Sequence, residues 1–361
     1  MYNDDFLNKK IAERKSLNSF RSLRFSEGKT DLCSNDYLGI VKNSLLTIHD
    51  AHLQTGSTGS RLLAGNYPLI EETEKQIAAF HQSETALIFN SGYDANIGVL
   101  SCIAPRGDTI IYDALSHASI RDGIRLSFAQ SFPFLHNDLS DLEKKLQQAA
   151  GNVFIVTESV FSMDGDLCPL KEIISLCKKY NAHLIIDEAH ATGIIGEKGE
   201  GLAQHLQFQN DILCRIHTFG KACGCHGAAV LGPNQLRDHL INFARSFIYS
   251  TSLPEHSVAA IKASYDTFPK MVDERAHLQK LIAQFQSANI SYEKLISQTP
   301  IQIVIIPGND AAKNVAEKLQ KNDLDVRAIL YPTVPKGKER LRIVLHSFNS
   351  VDELNKLISL L

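Results

Sequence analysis

Several mainly apolar runs in this 361-residue chain each stop at a polar residue, and that repetition constrains the fold more than any other feature. Residues 86–89 run into Asn90, 153–157 into Glu158, 184–186 into Asp187 and 212–217 into Thr218. Another such run lies at 109–112, and helical patterns such as 170–180 fall between some of them. Apolar strands separated by helices suit a mostly parallel sheet, because each strand of such a sheet is buried on both faces. The expected fold class is therefore α/β, with a mostly parallel central sheet and helices on both faces. Ligands of such sheets gather beyond the carboxyl ends of the strands. Asn90, Glu158, Asp187 and Thr218 all fall there.

Around this centre the pattern changes. Residues 3–23 read as an amphipathic helix, and 31–39 turn the chain. Ser91 is placed to cap a helix running to about residue 103. After Tyr249-Ser-Thr-Ser-Leu-Pro254 a long helical stretch reaches about residue 289, with strands expected near 302–306, 326–329 and 341–345. The expected organisation is an N-terminal helix and turn segment over 1–45, a large domain over 46–253 and a small αβ domain over 254–361. A net charge of −3 gives no reason to expect nucleic acid or an anionic membrane as partner. The first twenty residues mix charged and apolar types, so neither a signal peptide nor a spanning helix is expected there. Seven cysteines without framework spacing predict reduced thiols and a cytoplasmic protein.

Lys221 stands in Thr218-Phe-Gly-Lys221-Ala-Cys-Gly224, one predicted βα step after Asp187-Glu-Ala-His190. A lysine among small residues, with a hydroxyl three positions earlier, suits a Schiff-base amine beside a phosphate anchor. A solvated surface lysine is the commoner role for such a residue alone. Asp187, ending a buried strand, is suited to pair with a pyridinium nitrogen, or else to cap the next helix. Together the two residues point to pyridoxal phosphate. Asn90-Ser-Gly-Tyr93 would offer helix-start N–H groups to its phosphate, although a plain capped turn has the same sequence. His117, in Asp113-Ala-Leu-Ser-His117-Ala-Ser119, could stack on a ring or simply follow a capping Ser116. Ser162 lies in the loop Glu158-Ser-Val-Phe-Ser162-Met-Asp-Gly165, with a turn expected at Gly165. It could donate to a cofactor oxygen or be an ordinary loop serine.

Other chemistries fit less well. The Asp187–His190 letters also occur in ATP-driven helicases, but these need G-x-x-x-x-G-K-[ST]. Here Arg215 stands at the first glycine and Ala222 at the hydroxyl. Gly56-Ser-Thr-Gly-Ser60-Arg61 is not a dinucleotide fingerprint; it reads as a plain loop or an anion contact. No hydrolase nucleophile elbow occurs, and the acidic loop lacks calcium-site spacing, so no metal is expected. Cys223 and Cys225 read as incidental thiols, sensitive to oxidation. Arg340 and Arg342 alternate onto one face of a predicted strand and could clamp a carboxylate.

These segments resemble the α-oxoamine synthases, a pyridoxal-phosphate-dependent family of fold type I, along nearly the whole chain. The resemblance is carried by Ser34-Asn-Asp-Tyr-Leu-Gly39, Thr55-Gly-Ser-Thr-Gly-Ser-Arg61, Leu115-Ser-His117-Ala-Ser119, Val160-Phe-Ser-Met-Asp-Gly165, Asp187-Glu-Ala-His190, Thr218-Phe-Gly-Lys221 and Tyr331-Pro-Thr-Val-Pro335. Ala191 departs from the glycine common there. The resemblance implies Lys221, Asp187 and His117 as catalytic residues. It implies Gly92, Tyr93, Ser162, His190 and Thr218 as further cofactor contacts. Thr333 and Arg342 would lie at the substrate, with Arg342 on the amino-acid carboxylate. Arg21 would meet the far end of the acyl chain, with Arg24 as its competitor. The implied reaction joins L-alanine to a pimeloyl thioester, carried on coenzyme A or a carrier protein, in biotin synthesis. Sister reactions with glycine or serine, an aminotransferase and a non-catalytic partner subunit are the alternatives. A homodimer is implied as well.

Overall fold

The computed structural model describes residues 2–23, 25, 28–48 and 52–361. Two compact units divide the chain. The larger comprises Leu38–Ser162 and Leu167–Arg275, and the smaller Met1–Tyr37, Met163–Asp166 and Ala276–Leu361. Among the described residues no helix is long and apolar enough to cross a membrane.

The smaller unit opens with α1 (Asp5–Ser16) and β1 (Thr30–Asp31). The helix expected over 3–23 therefore stops early. Asn18 turns into the left-handed region at φ 47°, and the N–H groups of Asn18 and Ser19 return to the Lys15 and Arg14 carbonyls. Asparagine tolerates that conformation better than most residues, and it ends helices. The expected amphipathic face is not used either. No residue of α1 is buried, and Phe6, Leu7 and Ile11 are exposed.

In the larger unit α2 (Pro68–Phe80) precedes a run of alternating elements. These are β2 (Thr85–Phe89), α3 (Gly92–Cys102), β3 (Thr109–Asp113), α4 (Ala118–Leu126), β4 (Gln130–Phe134), α5 (Leu139–Leu146), β5 (Val153–Glu158), α6 (Leu170–Tyr180) and β6 (His183–Asp187). There follow α7 (Leu202–His205), β7 (Cys214–Thr218), β8 (Ala228–Gly232), α8 (Asn234–Phe243), α9 (Arg245–Ile248) and α10 (Glu255–Thr267). The seven strands form one sheet in the order β2-β8-β7-β6-β5-β3-β4. Every residue of β5 and β7 is buried, as strands covered on both faces must be. Val99 and Ile120 from the helices pack in one core cluster with Leu87, Ile110, Val156, Ile185, Ile216 and Val230 from the strands.

Two of these strands were not expected from the sequence. β4 carries Pro133 and is exposed at four of its five positions, so it shows no apolar pattern; proline is tolerated at such a sheet edge. β8 is built of small residues and runs antiparallel to both its neighbours. Only nine residues separate β7 from β8, too few for the crossover a parallel pair needs. The helical stretch expected to continue to residue 289 is broken at Phe268–Lys270, where Pro269 removes a donor. α11 (Val272–Ser287) resumes it.

The rest of the smaller unit comprises β9 (Glu293–Lys294), β10 (Ile301–Ile305), α12 (Asn309–Gln320), β11 (Leu324–Asp325), β12 (Arg327–Ile329), β13 (Arg340–Val344) and α13 (Val351–Leu360). Four of these strands form an antiparallel sheet in the order β12-β13-β10-β9, and β1 pairs with β11. Ser350 and Glu353 close a capping box at the start of α13.

Candidate active site

Sheet register assembles the first cluster. β5, β6 and β7 are adjacent and parallel, and they end on Glu158, Asp187 and Thr218, with Glu158 directly opposite Asp187. Phe89 at the end of β2 and Thr218 at the end of β7 both face Ala228 across β8. That shared neighbour brings the Asn90-Ser-Gly92 turn alongside Thr218. A Cβ on Gly92 would lie 3.3 Å from the Thr218 hydroxyl oxygen, so the bare backbone leaves a cradle that a larger residue would fill. Ser91 caps α3 as expected, its hydroxyl accepting the Asp94 N–H at 3.0 Å. The N–H groups of Gly92 and Tyr93 in that first turn have no acceptor inside the helix, and they lie at its positive end. The Tyr93 hydroxyl is directed elsewhere, donating to Asp122 at 2.5 Å.

Asp187 is buried, 6% exposed. One of its oxygens accepts the Ala189 N–H and the other the Asn96 amide, both at 2.8 Å. The next helix begins only at Leu202, so Asp187 caps none. The Asn96 amide also reaches Ser119 Oγ at 3.0 Å, and Ser119 Oγ lies 2.7 Å from His117 Nδ1. His117 itself is the N-cap of α4, accepting the Ser119 N–H. The capping role considered for Ser116 falls to its neighbour, and Ser116 is buried. The His117 backbone N–H donates to Glu158 at 2.5 Å. Burial pushes the His117 imidazole below its ordinary value, with Asp187 opposing the shift and Lys221 reinforcing it. Burial, and then the charge of Asp187, pushes the Glu158 carboxyl well above the usual range.

Lys221 is half-buried on the turn between β7 and β8, and its charge acts on both His117 and Glu158. The turn is made possible by Gly224 at φ +63°, where a side chain would meet Ile40. His190 is buried just after β6, and Ser162 follows β5 near the Val160–Leu167 bridge. Cys223 is buried and Cys225 partly so. Both thiols are pushed up by burial, that of Cys225 to about 12, which suppresses the reactive thiolate. Arg61 is paired with the buried Glu74 at 2.7 Å.

In the smaller unit Arg342 donates to Asn35 Oδ1 at 3.0 Å, and the buried Tyr37 hydroxyl reaches the same oxygen at 3.2 Å. Arg340 does not join Arg342 in a clamp. It is 5% exposed, ion-paired with Asp164 and bonded to the Met163 carbonyl at 2.9 Å. Arg21 donates to Thr333 Oγ1 at 2.9 Å, uniting two predicted substrate residues. Arg24 lies outside the described residues. Sequence reasoning placed Glu158 at the ligand end of the sheet without a specific role, and gave none to Asn96 or Asn35. A polar residue on the buried face of an apolar helix was the available signal for Asn96, and Asn35 sat inside a quoted motif.

A buried anion, a neutral imidazole, an amine and a helix start beside a hydroxyl make a donor set that fits pyridoxal phosphate. The anion matches a pyridinium, and the Gly92 cradle beside Thr218 matches a phosphate. A profile of the aminotransferase class I and II family matches residues 27–359. The chain is 39% identical to 8-amino-7-oxononanoate synthase 2 of Bacillus subtilis, an alignment covering 98% of this chain and 96% of that protein. A serine palmitoyltransferase from S. paucimobilis, solved with pyridoxal phosphate bound, superimposes with a TM-score of 0.88 at 25% identity, covering 100% and 97% of the two chains. The 8-amino-7-oxononanoate synthase of Francisella tularensis gives 0.75 at 28% identity, over 92% and 97%.

Proposed function

This chain belongs to the α-oxoamine synthases of the class I and II aminotransferase family, and on that footing we propose that it condenses L-alanine with a pimeloyl thioester, with loss of carbon dioxide, to give 8-amino-7-oxononanoate for biotin synthesis. The observation that carries the reading is the near full-length likeness to synthases of that name, joined to an amine and a buried anion at one end of the same sheet. The cofactor is pyridoxal phosphate, which when bound supplies an electron sink for charge developing at the amino-acid Cα.

The residues divide the remaining work. Gly92 and Tyr93 N–H groups and the Thr218 hydroxyl would hold the phosphate at the start of α3. Asp187, fixed by Asn96 and Ala189, would keep the ring nitrogen protonated without reorganising during reaction. The uncharged His117 would lie against the ring face, and Ser162 and His190 would address its phenolic oxygen. Lys221 would anchor the cofactor covalently. When alanine takes that place, the freed amine would draw the proton from alanine Cα, and this carbon would attack the thioester carbonyl as the thiol leaves. Arg342 would take the amino-acid carboxylate, with Thr333 also at the substrate and Arg21 at the far end of the acyl chain. A homodimer belongs to the same reading.

The test supplies the loaded enzyme with pimeloyl-CoA and either L-alanine, glycine or serine, while thiol release and product mass are followed. Thiol release with alanine, and not with the other two, is expected. A response to glycine or serine instead would keep the reaction type and replace the substrate. Keto-acid formation without thiol release would mean an aminotransferase.

A further inference from the structure

Glu158 stands in the site without a task in the reaction as divided above. It ends β5 directly opposite Asp187, is 4% exposed, and its carboxyl accepts the backbone N–H of His117 at 2.5 Å. His117 is the N-cap of α4. The N–H of an N-cap lies outside the helix ladder, and in a capping box a Glu or Gln at the third helical residue accepts it. Glu353 does so for Ser350 at the start of α13. In α4 that third position is Ile120, which is buried and has no side-chain acceptor. Glu158 supplies the missing half of the box from another strand, 41 residues further along the chain.

His117 is therefore held from two sides. Its Nδ1 lies 2.7 Å from Ser119 Oγ, which receives the Asn96 amide, and that amide also donates to Asp187. Asp187 and Glu158 face each other across β5 and β6. The contacts thus form a circuit that leaves one strand end and returns to its neighbour. Glu158 fixes where the residue sits, and Ser119 fixes how its ring turns. A histidine gripped in this way for structure alone would be buried, but His117 keeps an exposed surface, as a ring that receives another ring on its face must. The charge of Lys221 acts on both His117 and Glu158, which sets the pair beside the amine.

We propose that Glu158 is a positioning residue for this chemistry, fixing through the His117 N–H the place at which the imidazole meets the cofactor ring. The proposal rests on the role given to His117 above and deepens it. Without Glu158 the N–H loses its acceptor, the start of α4 is free to shift, and the ring moves with it. A displacement of ~1 Å can cost ~10²-fold in rate.

Glu158→Gln and Glu158→Met separate this role from a merely structural one. Burial and the charge of Asp187 favour the protonated carboxyl, which a carboxamide imitates. Glu158→Gln therefore keeps an oxygen for the His117 N–H, and Glu158→Met removes it. Each is made in the wild-type chain and in a His117→Asn background, since asparagine caps a helix but carries no ring. All are loaded with pyridoxal phosphate. The first readout needs no substrate: the visible circular dichroism of the lysine-bound cofactor, which reports how asymmetrically its ring is held. Glu158→Met is expected to weaken that band as His117→Asn does, Glu158→Gln to keep it, and Glu158→Met with His117→Asn to match His117→Asn alone. The second is turnover of L-alanine with pimeloyl-CoA. Glu158→Met is expected to lower kcat by ~10–100-fold with KM little changed, but by no more than ~2-fold in the His117→Asn background.

A glutamate that only supports the fold would lower both backgrounds by the same factor, and that result overturns the proposal. So does Glu158→Gln as impaired as Glu158→Met, or Glu158→Met equal to wild type. Should Glu158→Met fail to fold by far-ultraviolet circular dichroism, Glu158→Ala takes its place. A wild-type band and rate in His117→Asn would remove the ring contact and the proposal with it. Absence of thiol release in every protein would remove the substrate reading alone, and the cofactor band then decides: lost in Glu158→Met and kept in Glu158→Gln, it sustains the proposal, and unchanged in both it overturns it.

Discussion

At the sheet end of the larger unit Asp187, Asn96 and Ser119 are buried and already bonded to one another, whereas in the smaller unit Arg21 and Lys313 are held by contacts to neutral partners. Asp187, Asn96, Ser119 and His117 form one continuous hydrogen-bonded chain, with Asp187, Asn96 and Ser119 almost wholly removed from water. Arg21 and Lys313 rest on a threonine and an asparagine. A dry, prearranged site can favour a transition state because its dipoles need no reorganisation. Long exposed side chains give less energy per contact and pay more entropy, but they adjust to a substrate. On the proposed reading, chemistry falls to the larger unit and substrate selection to the smaller.

That division can be broken most severely at Lys221. Lys221→Ala is expected to abolish turnover while far-ultraviolet circular dichroism stays that of the native protein; full activity in the variant would remove the lysine from the mechanism. Next in size is Asp187→Asn, which keeps the shape and removes the anion. It is expected to lower kcat by ~10²–10³-fold, the scale of losing one preorganised electrostatic contact, with the change seen in kcat more than in KM. A uniform rise in KM would show that Asp187 only binds.

Glu158 tests the dryness itself. Its raised value means that, from the ordinary carboxylate range up towards pH 8, the folded protein holds a proton the unfolded chain has lost. The resulting stability is fully present at low pH and falls as pH rises through that window, by at most ~1.4 kcal/mol per pH unit. The buried His81 and His217, held below their ordinary value, push the opposite way below about pH 6.5, but they are common to both proteins compared. Urea unfolding of cofactor-free wild type and Glu158→Gln between pH 5 and 8 isolates the glutamate. The variant should lose the downward slope, and equal slopes would place the carboxyl in water. The smallest effect is expected in the smaller unit. Arg342→Lys loses the planar fork and should raise KM for alanine by ~10-fold with kcat little changed; a fall confined to kcat would move Arg342 into the chemistry.

The sequence showed most clearly those parts set by local pattern. The doubly buried strands β5, β6 and β7 read as apolar runs, and their last residues mark the ligand end because strand direction alone decides it. α6 was visible over the same residues it occupies. What was hidden depends on partners distant in the chain. β8 is too small to show a pattern and is fixed by pairing with β7. Asn96 matters because register sets Asp187 beside α3. Arg340 and Arg342 share alternation, yet one meets Asp164 and the other Asn35, a distinction no period of two can carry.

α3 touches the cluster twice. Its first turn presents the bare backbone at Gly92, and four residues on Asn96 grips Asp187. A helix rises 1.5 Å per residue, so those two points are separated by about 6 Å along one rigid axis. On the proposed reading the helix would act as a gauge block between the phosphate cradle and the contact that steadies the ring-nitrogen anion. Both of its partners, Thr218 and Asp187, stand on the sheet, so the two contacts depend together on one helix staying in place. A single residue inserted between Gly92 and Asn96 would rotate Asn96 by about 100° and lengthen the gauge, breaking one contact while the other is kept.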